Sequence, residues 1–262
     1  MMSSVDIVQI TDLHLGKSPD FNLAGINPVD SFNAVLDAVD IAGRGDDLLL
    51  LSGDLSGDSS AQAYVCLNEI LRRRSKRAIW LPGNHDDLEL MQAGLVNYPR
   101  SPVTDVGGWG IVSIDSSQVG TPAGFISDSE LNLLDARLRQ LSDRAVILSM
   151  HHCPINLGSH WLDHQKIANA EELYALLSNY SNIKAVVTGH VHQQYDGLWN
   201  QLPLYTTPSS CIQFKQKSDE FCISQLPPGY RWFTLEADGN VVTGVEFIDN
   251  FTQLPDTQTT GY

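Results

Sequence analysis

Basic residues are scarce in this sequence. Sixteen lysines and arginines face 31 aspartates and glutamates, a formal net charge of −15. A surface this acidic excludes a general nucleic-acid or membrane-surface binder, because both need a positive field. Long apolar runs are also missing, and none is long enough to span a bilayer. Cysteine is sparse. Cys66, Cys153, Cys211 and Cys222 show neither CxxC nor zinc-ribbon spacing, so they read as free thiols in a reducing compartment. Cys153 follows two histidines but reads as a small loop residue. The first six residues hold no basic segment followed by an apolar block, so the expectation is no secretory signal and a cytoplasmic chain. Internal repeats and Pro/Ser-rich linkers are lacking as well. That leaves one domain over residues 1–248, with residues 249–262 expected to be a frayed polar tail.

What the sequence does have is a recurring junction. Leu48-Leu49-Leu50-Leu51 reads as a strand buried on both faces, and it stops at Ser52-Gly53 just before Asp54. Four other strand-like runs end in the same manner. Residues 7–10 lead into Asp12 and His14, and residues 78–81 into Asn84-His85-Asp86. Residues 145–148 lead into His151-His152, and residues 185–187 into His190 and His192. In an open α/β sheet such positions face the crevice where ligands bind. Five loops are therefore expected to converge around Asp54.

Between these strands the pattern alternates with helices. Asn27-Pro28 forms an N-cap and first-turn proline ahead of Val29, Phe32, Val35, Leu36 and Val39 at helical spacing. Residues 60–74, 87–96, 127–141 and 169–177 read as further helices, the third opened by the capping-box pattern Ser127-Asp128-Ser129-Glu130. Residues 156–166 have no clear period and read as a loop able to close over the site. His160 and His164 within it read as solvent-exposed. Beyond His192, residues 204–207, 230–236 and 241–248 look like antiparallel strands, the last two joined by Asp238-Gly239. The expected architecture is an α/β (α+β) two-sheet core flanked by helices.

The candidate metal ligands are Asp12, His14, Asp54, Asn84, His151, His190 and His192. Mixed carboxylate, imidazole and amide donors suit divalent transition metals: Fe or Mn first, with Zn and Co also admitted. Seven donors exceed one tetrahedral site and suit two adjacent ions sharing a carboxylate. Such a pair can clamp the attacking and leaving oxygens of a displacement at phosphorus. Bound cations would also reverse the acidic field for an anionic substrate.

Asp-x-His, Gly-Asp, Gly-Asn-His-Asp, a later His and Gly-His-x-His occur here in order from Asp12 to His192. In this the sequence resembles the calcineurin-like metallophosphoesterase superfamily, which implies an αββα sandwich and two metal ions. By that resemblance Asp12, His14 and His192 hold one ion, Asn84, His151 and His190 the other, and Asp54 bridges. His152 then falls beside the site. The segments 169–173, 207–215 and 228–232 are similar to those of bacterial class III 3',5'-cyclic-AMP phosphodiesterases. This likeness covers nearly the whole chain and implies a small cyclic nucleotide as partner, with a homodimer by analogy.

The mechanism expected is hydrolysis of 3',5'-cyclic AMP to 5'-AMP by a hydroxide bridging two metals, with His85 as general acid. His14, Asn84, His85 and His192 would contact the substrate. Asp86 reads as a cap for the helix after it. Two rivals remain open on the same residues. One is another metal-dependent phosphodiesterase or phosphomonoesterase. The other is a non-catalytic scaffold of this fold, which would be expected to have lost ligands.

Overall fold

The computed structural model describes residues 4–261. Residues 1–3 of the expected leaderless start and Tyr262 of the expected tail lie outside them. Strand β1 (Val5–Ile10), β2 (Leu48–Ser52) and β3 (Ala78–Leu81) run parallel, with α1 (Pro28–Ile41) and α2 (Ala61–Arg73) as the crossovers. Helix α3 (Leu88–Gly94) and the antiparallel pair β4 (Val103–Val106) and β5 (Trp109–Ser113) follow. A second parallel set is β5, β6 (Val146–Ser149) and β7 (Ile183–Thr188), linked through α4 (Asp128–Gln140), the single turn α5 (His160–Asp163) and α6 (Ala170–Leu177). The chain ends in β8 (Tyr195–Trp199), β9 (Leu202–Thr206), the short β10 (Gln213–Phe214) and β11 (Ile223–Ser224), β12 (Gly229–Leu235) and β13 (Val241–Phe247).

Two sheets result, in the orders β13-β12-β1-β2-β3 and β4-β5-β6-β7-β9-β8. Strand periodicity sorts their side chains into three layers. Leu48 and Leu50 point inward, with Ile7, Ile111, Ile147, Ala185 and Val187, to form the core between the sheets. Leu49 and Leu51 point outward against Phe32, Val35, Leu67 and Leu71 of α1 and α2. On the far side, Val146, Leu148 and Val186 pack on Leu134 and Leu138 of α4 and Leu173 of α6. This is the expected αββα arrangement. The caps also form: Asn27 accepts from the N–H groups of Val29 and Asp30, and Ser127 from that of Glu130.

Some local readings change. Residues 156–166 contain the turn α5 rather than only loop. Strand β9 is antiparallel to β8 but parallel to β7, because the chain leaves the loop after β7 along the edge strand β8 and returns along β9 between the two. Strand β12 lies antiparallel to both β1 and β13. Residues 249–261 have no helix or strand, yet they are tied down. The Gln253 carboxamide bonds the Asn27 N–H and the Asp30 carboxylate, and the Asp256 N–H donates to the Ala24 carbonyl at 2.7 Å.

Polar side chains pin the two sheets together. The Gln9 carboxamide donates to the Ser52 hydroxyl and the Thr188 carbonyl and accepts from the Thr207 hydroxyl. Arg231, on β12, is fully buried. It reaches the second sheet at the Thr206 carbonyl (3.0 Å) and Asp196 (2.7 Å).

Candidate metal centre

The C-terminal ends of β1, β2, β3, β6 and β7 meet at one edge of the sandwich, and each releases the residues expected of it. The β1–β2 ladder continues into the loops: the Asp12 N–H donates to the Gly53 carbonyl (3.0 Å) and the His14 N–H to the Asp54 carbonyl (2.9 Å). From the other sheet, the Gly189 N–H donates to the His151 carbonyl. Asp12, His14, Asp54, His190 and His192 all have φ between 46° and 67°. This left-handed backbone is uncommon for residues with a side chain and gathers at functional sites, where surrounding structure enforces it.

The side chains form two clusters. In one, His14 Nε2 lies 3.2 Å from His192 Nε2, which lies 3.2 Å from Asp12 Oδ1. In the other, His151 and His190 meet across a ring separation of 5.2 Å. Asp54 stands between them, its Oδ2 3.2 Å from His151 Nε2, and it groups with Asp12 and His151 on one side and with His14 and His85 on the other. Two donors each about 2.1 Å from one ion stand about 3.0–3.4 Å apart, so these separations fit a shared cation. The three donors expected for the second ion have no hydrogen-bond partner although they are buried: Asn84 Oδ1, His151 Nε2 and His190 Nε2. Buried polar atoms are rarely left so, and a cation would satisfy all three. The other ring nitrogens are anchored. His151 Nδ1 lies 2.9 Å from the Ser52 carbonyl and His192 Nδ1 2.7 Å from the Ile212 carbonyl, so in each neutral ring the N–H sits there and Nε2 turns its lone pair to the cluster.

Electrostatics agree. Burial pushes His14 down to about 3, and burial, followed by the neighbouring rings of His152 and His151, holds His190 well below the usual histidine range. Both rings are therefore neutral, as a metal ligand would have to be. Burial opposes ionisation of Asp54, but His151 and His85 outweigh it and hold the carboxyl well below the carboxylate range. For His151 the burial is outweighed by Asp54, which lifts the ring to about 9. That pair of opposite charges is what a cation would replace.

Several supporting residues had no sequence signal. Asp86 was expected to cap α3, but Asp87 does so, accepting from the Leu90 N–H. The Asp86 carboxylate instead takes the N–H groups of Leu55, Ser56 and Gly83 and the Tyr64 hydroxyl, clamping the Asp54 loop to the His85 loop. A side chain at Gly83 would collide with the Asp54 carboxylate and backbone. The segment 207–215 is a buttress for the first cluster. The Ser209 hydroxyl donates to the Asp12 carbonyl (2.8 Å), the Ser210 N–H to the Thr11 carbonyl (3.0 Å), and the Phe214 ring stacks on His192 at 4.0 Å. His152 lies against the cluster of His151 and His190, its ring centroid 4.6 Å from that of His190, but both its nitrogens are engaged, Nδ1 with the Ser116 hydroxyl and Nε2 with the Pro122 carbonyl.

His85 sits beside the His14 cluster and, with Asp54, Asn84 and His190, lines a cleft of about 410 Å³. Its N–H donates to Asp54 Oδ1 (2.9 Å), its carbonyl accepts from the Ser59 hydroxyl, and its ring centroid is 5.2 Å from that of His14. Trp161 and Gln165 line the cleft. His160 and His164 are exposed with rings 4.6 Å apart and belong to none of the donor groups, and neither does the buried Cys153.

Comparison with known proteins follows the same lines. A family model described as "Calcineurin-like phosphoesterase" matches residues 5–194. The chain is 36% identical over 261 residues to the "3',5'-cyclic adenosine monophosphate phosphodiesterase CpdA" of Escherichia coli K12, covering 98% of this chain and 95% of that one. It is 34% identical over 263 residues to the protein of the same name from Vibrio vulnificus, covering 99% and 96%. Among solved structures, a dimetal phosphatase from Danio rerio superposes with a TM-score of 0.59 at 15% identity, covering 91% of this chain and 98% of that one. That last likeness is one of fold.

Proposed function

The chain belongs to the calcineurin-like phosphoesterase family, and from that membership we propose that it hydrolyses 3',5'-cyclic AMP to 5'-AMP with two divalent cations held by the five loops. The observation that carries the chemistry is the place of Asp54, a buried carboxylate shared between two donor clusters. The choice of a cyclic nucleotide is supported by what the near-full-length relatives are named to hydrolyse.

Asp12, His14 and His192 would hold one ion, Asn84, His151 and His190 the other, and Asp54 both. Oxygen, imidazole and amide donors suit Mn or Fe, with Zn and Co also accommodated. Such ions supply a water nucleophile at neutral pH and a countercharge for the phosphate oxygens. The chain's own residues then do the rest. Asn84 and His85 line the cleft and would turn the phosphate so that O3' lies opposite the attacking water, with His14 and His192 behind them holding the ion. His85 borders the His14 cluster and opens to the cleft, so its ring is placed to give a proton to O3' as that bond breaks. With a net charge of −15 on the chain, the cations also make the cleft hospitable to an anion.

The test is product analysis. Protein loaded with Mn(II) is given 3',5'-cyclic AMP or p-nitrophenyl phosphate at equal concentration. We expect 5'-AMP from the first at a rate well above phosphate release from the second. A preference for the monoester, or no turnover of cyclic AMP by metal-loaded protein, overturns the reading.

A further inference from the structure

Residues 249–261 have no helix or strand, yet their far end reaches the cleft: Thr260 and Gly261 line it together with Asp54, Asn84, His85 and His190. The topology brings them there. Strand β12 is antiparallel to β1, and β13 is antiparallel to β12. Strand β13 therefore runs in the sense of β1 and releases the chain at the edge where the metal loops lie. Three contacts then fix its path. Phe251 packs against the core that holds Leu23 and Ile26. The Gln253 carboxamide accepts from the Asn27 N–H (2.6 Å) and donates to the Asp30 carboxylate (2.8 Å) at the start of α1. The Asp256 N–H donates to the carbonyl of Ala24, which sits in a tight turn. That turn is firm: Leu23 and Ile26 are buried, exchange both backbone bonds (2.8 and 3.0 Å), and enclose Ala24 and Gly25 at φ of 46° and 89°. A Cβ on Gly25 would stand 2.8 Å from the Leu254 carbonyl oxygen, so the glycine leaves room for the crossing chain. Farther on, the Asp256 carboxylate takes the Gln258 N–H (3.0 Å) and the Asp256 carbonyl the Thr259 N–H (3.2 Å), which turns the chain just ahead of Thr260. Long stretches without regular structure are usually either disordered or functional, and this one is held along its length.

We propose that residues 249–261 are a strap that walls off one side of the cleft and excludes phosphodiesters with two bulky arms. The proposal rests on the phosphoester hydrolysis read above, but not on cyclic AMP as the substrate. The cleft, of about 410 Å³, lies near the lower end of the ~300–1,000 Å³ of small-ligand pockets, so one wall decides what fits. A linear diester carries two separate arms on phosphorus. In a cyclic diester both ester oxygens belong to one ring, and a single arm leaves the phosphate. With the phosphate beside Asp54, Asn84 and His85, the space that Thr260 and Gly261 border is where a second arm would pass, and the strap takes it up. Residues 257–261, Thr-Gln-Thr-Thr-Gly, carry no charged side chain. The end of the strap therefore neither draws in the phosphate nor competes for a cation, and it acts by occupying space. Specificity of this kind comes from a clash with the wrong substrate rather than from a new bond to the right one.

The test compares two linear diesters on Mn(II)-loaded protein. One is methyl p-nitrophenyl phosphate, whose second arm is a single methyl. The other is adenylyl-(3'→5')-adenosine, whose arms are both nucleosides. Neither is cyclic AMP, so failure of the cyclic-AMP reading shows in the product analysis above and leaves this comparison standing. Gln253→Ala with Asp256→Pro removes the carboxamide and the N–H that hold the strap, without touching a metal ligand. The double variant should raise kcat/KM for the dinucleoside by about tenfold or more and leave that for the methyl diester within about twofold. No change for either, or an equal change for both, overturns the strap. Thr260→Trp supplies a second readout. Added bulk should lower kcat/KM for the dinucleoside further in the otherwise unaltered chain and have no effect once the strap is released. Equal effects in the two backgrounds contradict a strap end seated in the cleft. Where turnover of the dinucleoside is too slow to follow, its binding by calorimetry takes its place. The released variant should then bind it about tenfold more tightly, and an unchanged affinity overturns the proposal.

Discussion

His85 and Asp54 touch through a backbone hydrogen bond yet have separable tasks. The His85 imidazole flanks the donor clusters, whereas the Asp54 carboxylate lies between them. His85→Ala is expected to lower kcat by about 10²–10⁴-fold, the usual worth of a general acid, while metal content stays at the wild-type level. Asp54→Ala should lose metal and activity together. Metal analysis by mass spectrometry beside kinetics checks the pair, and equal metal loss in both variants contradicts the division. At this scale the seven residues that gather at the site were legible because each follows an apolar run that stops abruptly. The left-handed backbone at five of them was not, since nothing in Asp-x-His or His-x-His announces φ near +50°. Asp86 was misread for a similar reason. Capping residues at adjacent positions look alike in sequence, and only the path of the chain shows Asp87 at the helix end and Asp86 turned back to Leu55, Ser56 and Gly83.

Among the elements, the short loops matter more than the strands that launch them. Gly83 permits the β3 loop to lie against the Asp54 carboxylate, and any Cβ there must displace one or the other. Gly83→Ala is therefore expected to weaken Mn(II) binding by about 10–100-fold, the usual cost of disturbing the support of a metal ligand. A Mn(II) titration measures it, and wild-type affinity in this variant contradicts the role assigned to the glycine. The strands and most helices were legible from periodicity and caps. The roles of segment 207–215 and of α5 were not, because both act through contacts with distant parts of the chain. Ser209 serves Asp12 and Phe214 serves His192, and no local pattern records such pairings.

Across the whole molecule, the site exists because two sheets are held face to face. Gln9 and Arg231 span them at depth, Arg231 with no exposed surface. Arg231→Ala leaves a cavity and an unpaired Thr206 carbonyl, so the fold should lose about 3 kcal/mol. Urea denaturation of metal-free protein checks this, and an unchanged midpoint contradicts the pinning role. Sequence patterning suggested two sheets with helices outside, yet it did not say that β12 returns to pair with β1 across more than two hundred residues. Long-range pairing is chosen by how well whole surfaces fit, which no local window contains. The measurement that bears most directly on the account is a titration of metal-stripped protein with Mn(II), following bound ions and 5'-AMP release from cyclic AMP together. The account predicts two ions per chain, with turnover absent in stripped protein and complete only when the second has bound. Full turnover with one ion or none, or two bound ions and no 5'-AMP, would contradict it.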